Sequence, residues 1–567
     1  MISQQRVAEN ATCIRLLFAL YFYKNSEMPT LHWVGKDKVV NHHLDVPFRV
    51  LNKVSSFRAP EGTPTNSTDN RIIHGDNLEA LKSLLPEFEG KVKCIYIDPP
   101  YNTGNEGWVY NDAVNDPKMK RWLNQVVGKE GEDLSRHDKW LCMMYPRLKL
   151  LHRLLSRDGV LWVTLDDSEG HYFKLVADEI FGRGNFIATF CWQKTLTRRN
   201  DAKLVSTAHD YVFCYAKNSA FVSLAKEGKE QKQRDTYTNR DKDPRGDWLA
   251  VPFHAPNVRE NLTYKITTPG GRELWPPKGR HWSTTEELYK QLLADNRIYF
   301  GKDGNGMAQR KKFWSESDAD MVPWTWWPYT DAGDNREANK EIKAIVGVSD
   351  METFPTPKPV KLIEKILALS APAGALVLDS FAGSGTTAHA VLKANASDDG
   401  KRRFIMIEME DYAEKITSTR VQRAMEGYGE GKDAAAALGG GFDYYTIGEP
   451  IFLPDDNLNE AVGTEAIRAY VAYSEGIPAA DQTTADNPHT PYLLGLNRET
   501  ACIFHYEPDR STSLDMDFLA GLLFGGSTGA GKPGTVIIYA DRCLLSAAFM
   551  AQHGIIFKKI PRDITRF

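Results

Sequence analysis

A chain of 567 residues is too long for one hydrophobic core, so three or four domains are expected. With 42% hydrophobic and 25% charged residues, a mean hydropathy of −0.43 and no apolar run of spanning length, it reads as an ordinary soluble protein. A formal net charge of −4 excludes a uniformly basic nucleic-acid binder, so charge has to be read segment by segment.

The seven cysteines are scattered, without a C-x-x-C pair or a His/Cys cluster at metal spacing. They are expected to be reduced, mostly buried thiols of a cytoplasmic protein, with no metal site. The apolar run at 13–20 is interrupted by Arg15 and followed by no small-residue cleavage site, so it is not read as a signal peptide. The polar restart at Met28 makes that residue, not Met1, the expected native start.

Residues 1–70 read as an N-terminal extension ending in a Pro/Gly-rich, linker-like stretch at 59–64. Residues 71–77 then predict a short strand and tight turn, and Leu78, Leu81, Leu84 and Leu85 a helix. The run Cys94-Ile95-Tyr96-Ile97 predicts a buried strand, stopped by Asp98-Pro99-Pro100-Tyr101 because neither proline can donate a ladder hydrogen bond. Together these make the first β-α-β of a parallel sheet. A helix is expected over 133–157, with Trp140, Met144, Leu148, Leu151 and Leu155 on its apolar face, Ser135 as cap and Gly159 as stop. Strands follow at 159–165, ending at Asp166-Asp167, and at 211–215, so residues 71–218 form half of an α/β domain. Short strands, turns and tryptophans mark an inserted module at 219–350. The α/β pattern returns over 351–430: a helix through Leu362, Ile363, Ile366 and Leu367, a strand at 375–378, a glycine turn, a helix, and a strand at 404–407. A flexible joint at 435–441 leads into a C-terminal α+β domain within 431–567. The fold class is a doubly wound, Rossmann-like sheet with an insertion.

In an open α/β sheet, ligands bind outside the carboxyl ends of the strands. Asp98 to Tyr101 therefore displays an acid, two rigid carbonyls and an aromatic ring where a flat ring with an exocyclic amine would be held. A second strand runs into Asp379-Ser380-Phe381-Ala382-Gly383-Ser384-Gly385-Thr386-Thr387, where paired glycines let a ligand approach the backbone. Glu408 ends the next strand 23 residues beyond Gly385, about the spacing at which an acid grips ribose hydroxyls. The third glycine of the dinucleotide fingerprint is absent, so an adenosine-containing ligand is favoured and a pyrophosphate is not required.

Asp-Pro-Pro-Tyr together with the 379–387 motif resembles the S-adenosylmethionine-dependent DNA amino-methyltransferases, in the β-class order with the tetrapeptide first, the insertion next and the glycine motif last. Residues 158–169, 209–217 and Thr356-Pro357-Lys358-Pro359 resemble further pieces of that family. The extended string 98–112, the stretch 440–445 and the ending 555–561 resemble the modification (Mod) subunits of type III restriction–modification systems. The resemblance covers essentially everything after Met28.

The resemblance implies direct transfer of a methyl group from the sulfonium of S-adenosylmethionine to an exocyclic amine, with no covalent nucleophile. Asp98 and the Pro99 carbonyl are expected to accept the two amine hydrogens, with Pro100 rigid beside them and Tyr101 stacking on a base flipped out of the duplex. On the cofactor side, Asp379, Phe381, Gly383, Gly385 and Thr386 are expected around the methionine end and Glu408 at the ribose. Asp76 either bonds the cofactor adenine or caps a turn; Lys358 either meets the cofactor carboxylate or is solvated. Asp166 and Asp167 are expected to end their strand, not to bind metal.

Residues 259–312 hold eleven Lys/Arg against six Asp/Glu, interleaved with Trp and Tyr, which suits target recognition on DNA by the insertion. Lys194, Arg198, Arg199 and Lys203 add a basic loop. Residues 443–520 hold fourteen acids against three arginines, a better protein interface, for a homodimer or a restriction (helicase/nuclease) partner, than a DNA grip. Gly526 to Lys532 nearly spells a phosphate-binding loop, but Pro533 replaces the metal-binding hydroxyl and a strand follows where a helix should, so ATP binding is not expected. Asp at the first motif position favours adenine N6; N4-cytosine methylation and a catalytically silent recognition subunit are the alternatives.

Overall fold

The structure is a computed structural model; it describes residues 30–103, 134–198, 203–228, 234–316, 320–346, 356–431, 434–478, 481–483, 491–497, 500–522 and 533–562. Met28, Arg199 and the 526–532 loop lie outside the described residues. Two compact units separate, Ala225–Pro323 and the rest of the chain.

The larger unit is built on strands β1 (Arg49–Arg58), β2 (Arg71–His74), β3 (Val92–Ile97), β4 (Leu155–Leu165), β5 (Phe186–Gln193), β6 (His209–Ala216), β7 (Trp326–Trp327), β8 (Leu376–Asp379), β9 (Arg403–Glu408) and β10 (Gly441–Pro450). They form one ten-stranded sheet in the order β1-β10-β2-β9-β8-β3-β4-β6-β5-β7. The run from β10 to β4 is parallel, and β6 pairs antiparallel with both β4 and β5. Helices α1 (Asn77–Phe88), α2 (Leu134–Leu154) and α3 (Gly170–Phe181) bury their apolar faces on one side. Helices α5 (Val360–Ser370), α6 (Thr386–Asp398) and α7 (Thr419–Glu426) cover the other, after α4 (Asn335–Val346). This cover on both faces explains why β8 is wholly apolar up to its terminal acid and buried throughout. The edge strand β1 is mostly exposed and carries Lys53 and Arg58, which pair with Asp443.

The two sequence halves interleave in the sheet. Strand β2, read with the first half, lies beside β9 of the second, so β2 and β3 are not neighbours. The insertion is shorter than 219–350: Trp326 and Trp327 pair with Cys191 and Trp192 of β5, and the α4 segment returns to the larger unit. Their tryptophans had grouped them with the insertion, yet Trp327 packs against Phe190 in the sheet's own core. Neither the extension nor the C-terminal region stands apart, since β1 and β10 are sheet strands. Helix α2 ends at Leu154, and Leu155 opens β4 in place of a last helical turn. Strand β5 had no expectation attached to it.

Beyond β10, helix α8 (Thr464–Ser474) packs on a four-stranded sheet of β11 (Leu493–Asn497), β12 (Thr500–Phe504), β13 (Thr535–Ala540) and β14 (Ile555–Lys559). The smaller unit has short two- and three-stranded sheets and a core of Phe253, Leu274, Trp282 and Tyr289. Trp248 and Trp282 are fully buried there, whereas Trp275 is exposed.

The glycine-rich stretch before β10 is no loose joint. Leu438 and Gly439 donate backbone hydrogen bonds to Ala424 and Met425, and Gly441 donates to Ser67. Gly439 has φ +71°, and a Cβ there would sit 1.6 Å from the Pro64 carbonyl oxygen. Gly439→Ala is therefore expected to lower stability by at least about 2 kcal/mol. Urea unfolding checks this, because a true linker would tolerate the change.

Candidate active site

The tetrapeptide and the glycine turn lie far apart in the chain and side by side in the fold. Strand β8 pairs parallel with β3, Val377 opposite Cys94 and Leu378 opposite Ile95, so both strands release their loops at one edge. On the β3 side, Asp98 Oδ2 is ion-paired with Lys358 Nζ. Its other oxygen, Oδ1, is shut off from solvent and has no hydrogen-bond partner among the described residues. The Pro100 carbonyl accepts the Trp140 indole N–H at 2.7 Å. Tyr101 donates its hydroxyl to Asp210 Oδ2 at 3.3 Å, and Lys358 Nζ stands 5.0 Å from its ring centroid. Burial, then the charges of Asp98 and Asp210, push this phenol well above its ordinary value, so it stays a neutral donor. Asn102, at φ +57°, is buried and donates to Glu169, which also bonds His137 Nδ1 at 2.7 Å. The tetrapeptide is thus anchored immediately after its tyrosine.

On the β8 side, Asp379 Oδ1 accepts the Phe381 N–H at 3.0 Å and Oδ2 the Thr387 hydroxyl at 2.5 Å. Gly383 (φ +50°) and Gly385 (φ +80°) supply the left-handed backbone that turns the chain into α6. Glu408 reaches across from β9: one oxygen accepts the Gly383 N–H at 2.7 Å, the other the Glu410 N–H at 3.0 Å. In the free protein it therefore fastens the glycine turn. Phe381 is buried among apolar side chains, 5% exposed, and Thr386 Oγ1 donates to the Lys358 carbonyl at 3.2 Å. Burial raises both Asp379 and Glu408 to about 7.

Sequence reasoning missed several supports. Arg420, fully buried on α7, donates to Ser384 Oγ at 2.9 Å and Thr386 Oγ1 at 2.7 Å, and burial lowers it to about 10. Thr417 donates to the Gly383 carbonyl at 2.6 Å. Arg147 holds Asn77, which donates to the Ser380 carbonyl at 3.0 Å. A lone arginine in an amphipathic helix gives no sequence signal, but Asp210, a charge inside an apolar strand, did.

Of the residues open to two readings, Asp76 is the cap of α1, its Oδ1 accepting Leu78 N–H at 2.8 Å and Glu79 N–H at 3.1 Å. Lys358 is neither solvated nor distant, being on Asp98. Asp166 accepts the Ser168 N–H and Asp167 the Tyr211 hydroxyl. No group of three potential metal ligands occurs among the described residues. Lys194 Nζ lies 2.5 Å from Asp210 Oδ1, while Arg198 and Lys203 are exposed.

The structure is a doubly wound sheet with an acid–proline loop and a glycine turn on adjacent strand ends. The DNA methylase family model matches residues 92–419, and the chain belongs to that family. It is 37% identical over 359 residues to the type III restriction-modification enzyme StyLTI Mod subunit of Salmonella typhimurium, covering 60% of this chain and 52% of that one, so it spans about half of that relative's length. It is 30% identical over 473 residues to the EcoPI Mod subunit of Escherichia phage P1, covering 73% of this chain and 71% of that one. Among solved structures, the PvuII DNA methyltransferase (cytosine-N4-specific) aligns at 15% identity and a TM-score of 0.32 over 63% of this chain and 89% of that one.

The two raised carboxyls fix the sign of a pH effect. Unfolded, each ionises near pH 4; folded, each holds its proton to about 7. Between those values the folded state binds more protons, so their contribution to stability falls as pH rises. Asp379→Asn is expected to flatten the fall by up to one proton, about 1.4 kcal/mol per pH unit. Urea unfolding of both proteins between pH 4.5 and 7 measures the difference.

Proposed function

We propose that this chain is a site-specific DNA methyltransferase that methylates the N6 amine of a flipped adenine from S-adenosylmethionine, as the modification subunit of a type III-like restriction–modification system. The observation that carries the reading is Asp98 Oδ1, a shielded carboxylate oxygen without a described partner, in the same loop as the Pro99 carbonyl and the Tyr101 ring. A buried acceptor without a donor is costly, and an exocyclic amine supplies the missing N–H.

Asp98 accepts one amine hydrogen and the Pro99 carbonyl the other, which pulls the nitrogen towards tetrahedral geometry and aims its lone pair across the strand edge. Tyr101 stacks on the ring. When bound, S-adenosylmethionine supplies an electrophilic methyl on a sulfonium. The residues beside Asp98 fit that ligand: a glycine turn without side chains at Gly383 and Gly385, a helix N-terminus at Thr386, and Asp379 and Glu408 at adjoining strand ends. In this reading Lys358 is assigned to its carboxylate, Glu408 to the ribose, and Asp76, at the neighbouring strand end, to the adenine edge.

Target recognition is assigned to the Ala225–Pro323 unit, in which Arg259, Lys278, Lys302, Arg310 and Lys312 are exposed. Arg198 and Lys203 on the larger unit are further phosphate contacts, with Arg199 between them in the chain. The acidic stretch 443–520 is assigned to protein contacts, in a homodimer and with a restriction subunit. Among the described residues, no helix is long and apolar enough to cross a membrane.

Tritiated methyl transfer to DNA followed by nucleoside analysis tests the reading, with N6-methyladenine as the expected product. N4-methylcytosine would replace the substrate base, and no incorporation by protein that binds the cofactor would overturn the activity. Asp98→Ala is expected to lose about 10³-fold in turnover while cofactor affinity stays within a few-fold; an active variant would overturn the mechanism.

A further inference from the structure

The same sheet edge carries a carboxylate to which the mechanism gives no task. Asp210 is the second residue of β6, only 2% exposed, in a strand that is otherwise almost wholly apolar. Burying a carboxylate is expensive unless donors meet it. Here there are two, Lys194 Nζ at 2.5 Å from Oδ1 and the Tyr101 hydroxyl at 3.3 Å from Oδ2. Neither Lys194 nor Asp210 hangs on a free loop. Trp192 pairs with Asp210 and Gln193 with His209 across the β5–β6 hairpin, and the Lys194 N–H donates to the Ala208 carbonyl at 3.0 Å.

The prolines before Tyr101 fix backbone, not ring orientation, because the torsion that turns an aromatic ring has a broad minimum. A phenol in a half-buried site takes a partner for its hydroxyl, and that partner sets the plane of the ring. We propose that Lys194 and Asp210 are a positioning pair: Asp210 holds the Tyr101 hydroxyl so that the ring is aligned to stack on the flipped base, and Lys194 is the fixed partner that holds buried Asp210 in place. Neither touches the reacting atoms. The inference rests on the base-flipping reading above. It also takes Lys194 out of the set of phosphate contacts to which its sequence position had assigned it.

Methyl transfer is measured with the full-length protein on a duplex containing the target site mapped by methylation-sensitive sequencing. Inactivity of the wild type would fell the proposed function and this inference with it, which separates that failure from those below. With the wild type active, Tyr101→Phe, which removes the hydroxyl alone, is expected to lower kcat about tenfold. Asp210→Ala should lower kcat at least as much, and Asp210→Asn, which keeps an acceptor, should recover part of the loss. Cofactor affinity should stay within twofold in all three. The double variant Tyr101→Phe/Asp210→Asn should be no slower than the slower single variant, because both act through one bond. Multiplying effects, or a loss of cofactor affinity that matches the loss of kcat, would overturn the proposal. Lys194→Met should lower kcat and leave the salt dependence of DNA binding unchanged, whereas a phosphate contact would reduce that slope by about one.

Discussion

The constraint on which the rest depends is the parallel pairing of β3 with β8. Two short apolar strands meet in the middle of the sheet, covered by helices on both faces, and each gives way to chemistry at the same end. The proline pair stops β3 by removing ladder donors, and the turn through Asp379 to Gly385 stops β8. Register then does what neither loop does alone. Asp98 and Asp379 emerge close enough for the charge of Asp98 to add to the burial that raises the proton affinity of Asp379. A slip of one residue in this pairing would move every side chain of a strand to the opposite face, so burial on both faces locks the site's geometry.

The loops at that edge are held by polar atoms in addition to the apolar packing of Phe381 and Ala382. Glu408, Thr417, Arg420 and Asn77 each hold a backbone group or hydroxyl of the turn between Ser380 and Thr386. Asn102, Glu169 and His137 do the same for the tetrapeptide. Such groups are costly to bury and are compensated only where geometry is good, which makes both loops rigid. That is the requirement for a site that positions a substrate instead of attacking it covalently.

Much of this was legible in the residues. Strand β3, helix α1, the 376–379 strand and the Arg403–Glu408 strand follow from apolar runs bounded by turn signals, and both loops stand out by composition. What was not legible has a common cause, dependence on distant partners. Strand β1 falls within what reads as an N-terminal extension because its faces are polar, and only its pairing with β10 makes it a strand. Strand β5 carries weak alternation and is defined by β6 on one side and β7 on the other. Trp326 and Trp327 look like the insertion's tryptophans until the sheet claims them. In the site, Asp76 and Lys358 each had two readings of equal standing. The cap of α1 accounts for Asp76 in the free protein, while Lys358 met a partner, Asp98, that neither reading had named.

That last contact bears on how the site is balanced before any ligand arrives. Asp98 and Asp210 flank one tyrosine, and each is answered by a lysine, Lys358 and Lys194. One step along the edge, Asp379 and Glu408 form no ion pair among the described residues; burial raises both to about 7, and their hydrogen bonds run to backbone N–H groups and hydroxyls. The base side is therefore paired with fixed cations, while the turn side keeps its protons up to about pH 7. A cation entering beside the turn draws those protons off and gains two carboxylates, while a neutral amine entering beside Asp98 needs only an acceptor. An arrangement that favours positive charge on one side of a strand boundary and a neutral donor on the other is what the proposed transfer of a methyl from a sulfonium to an amine requires.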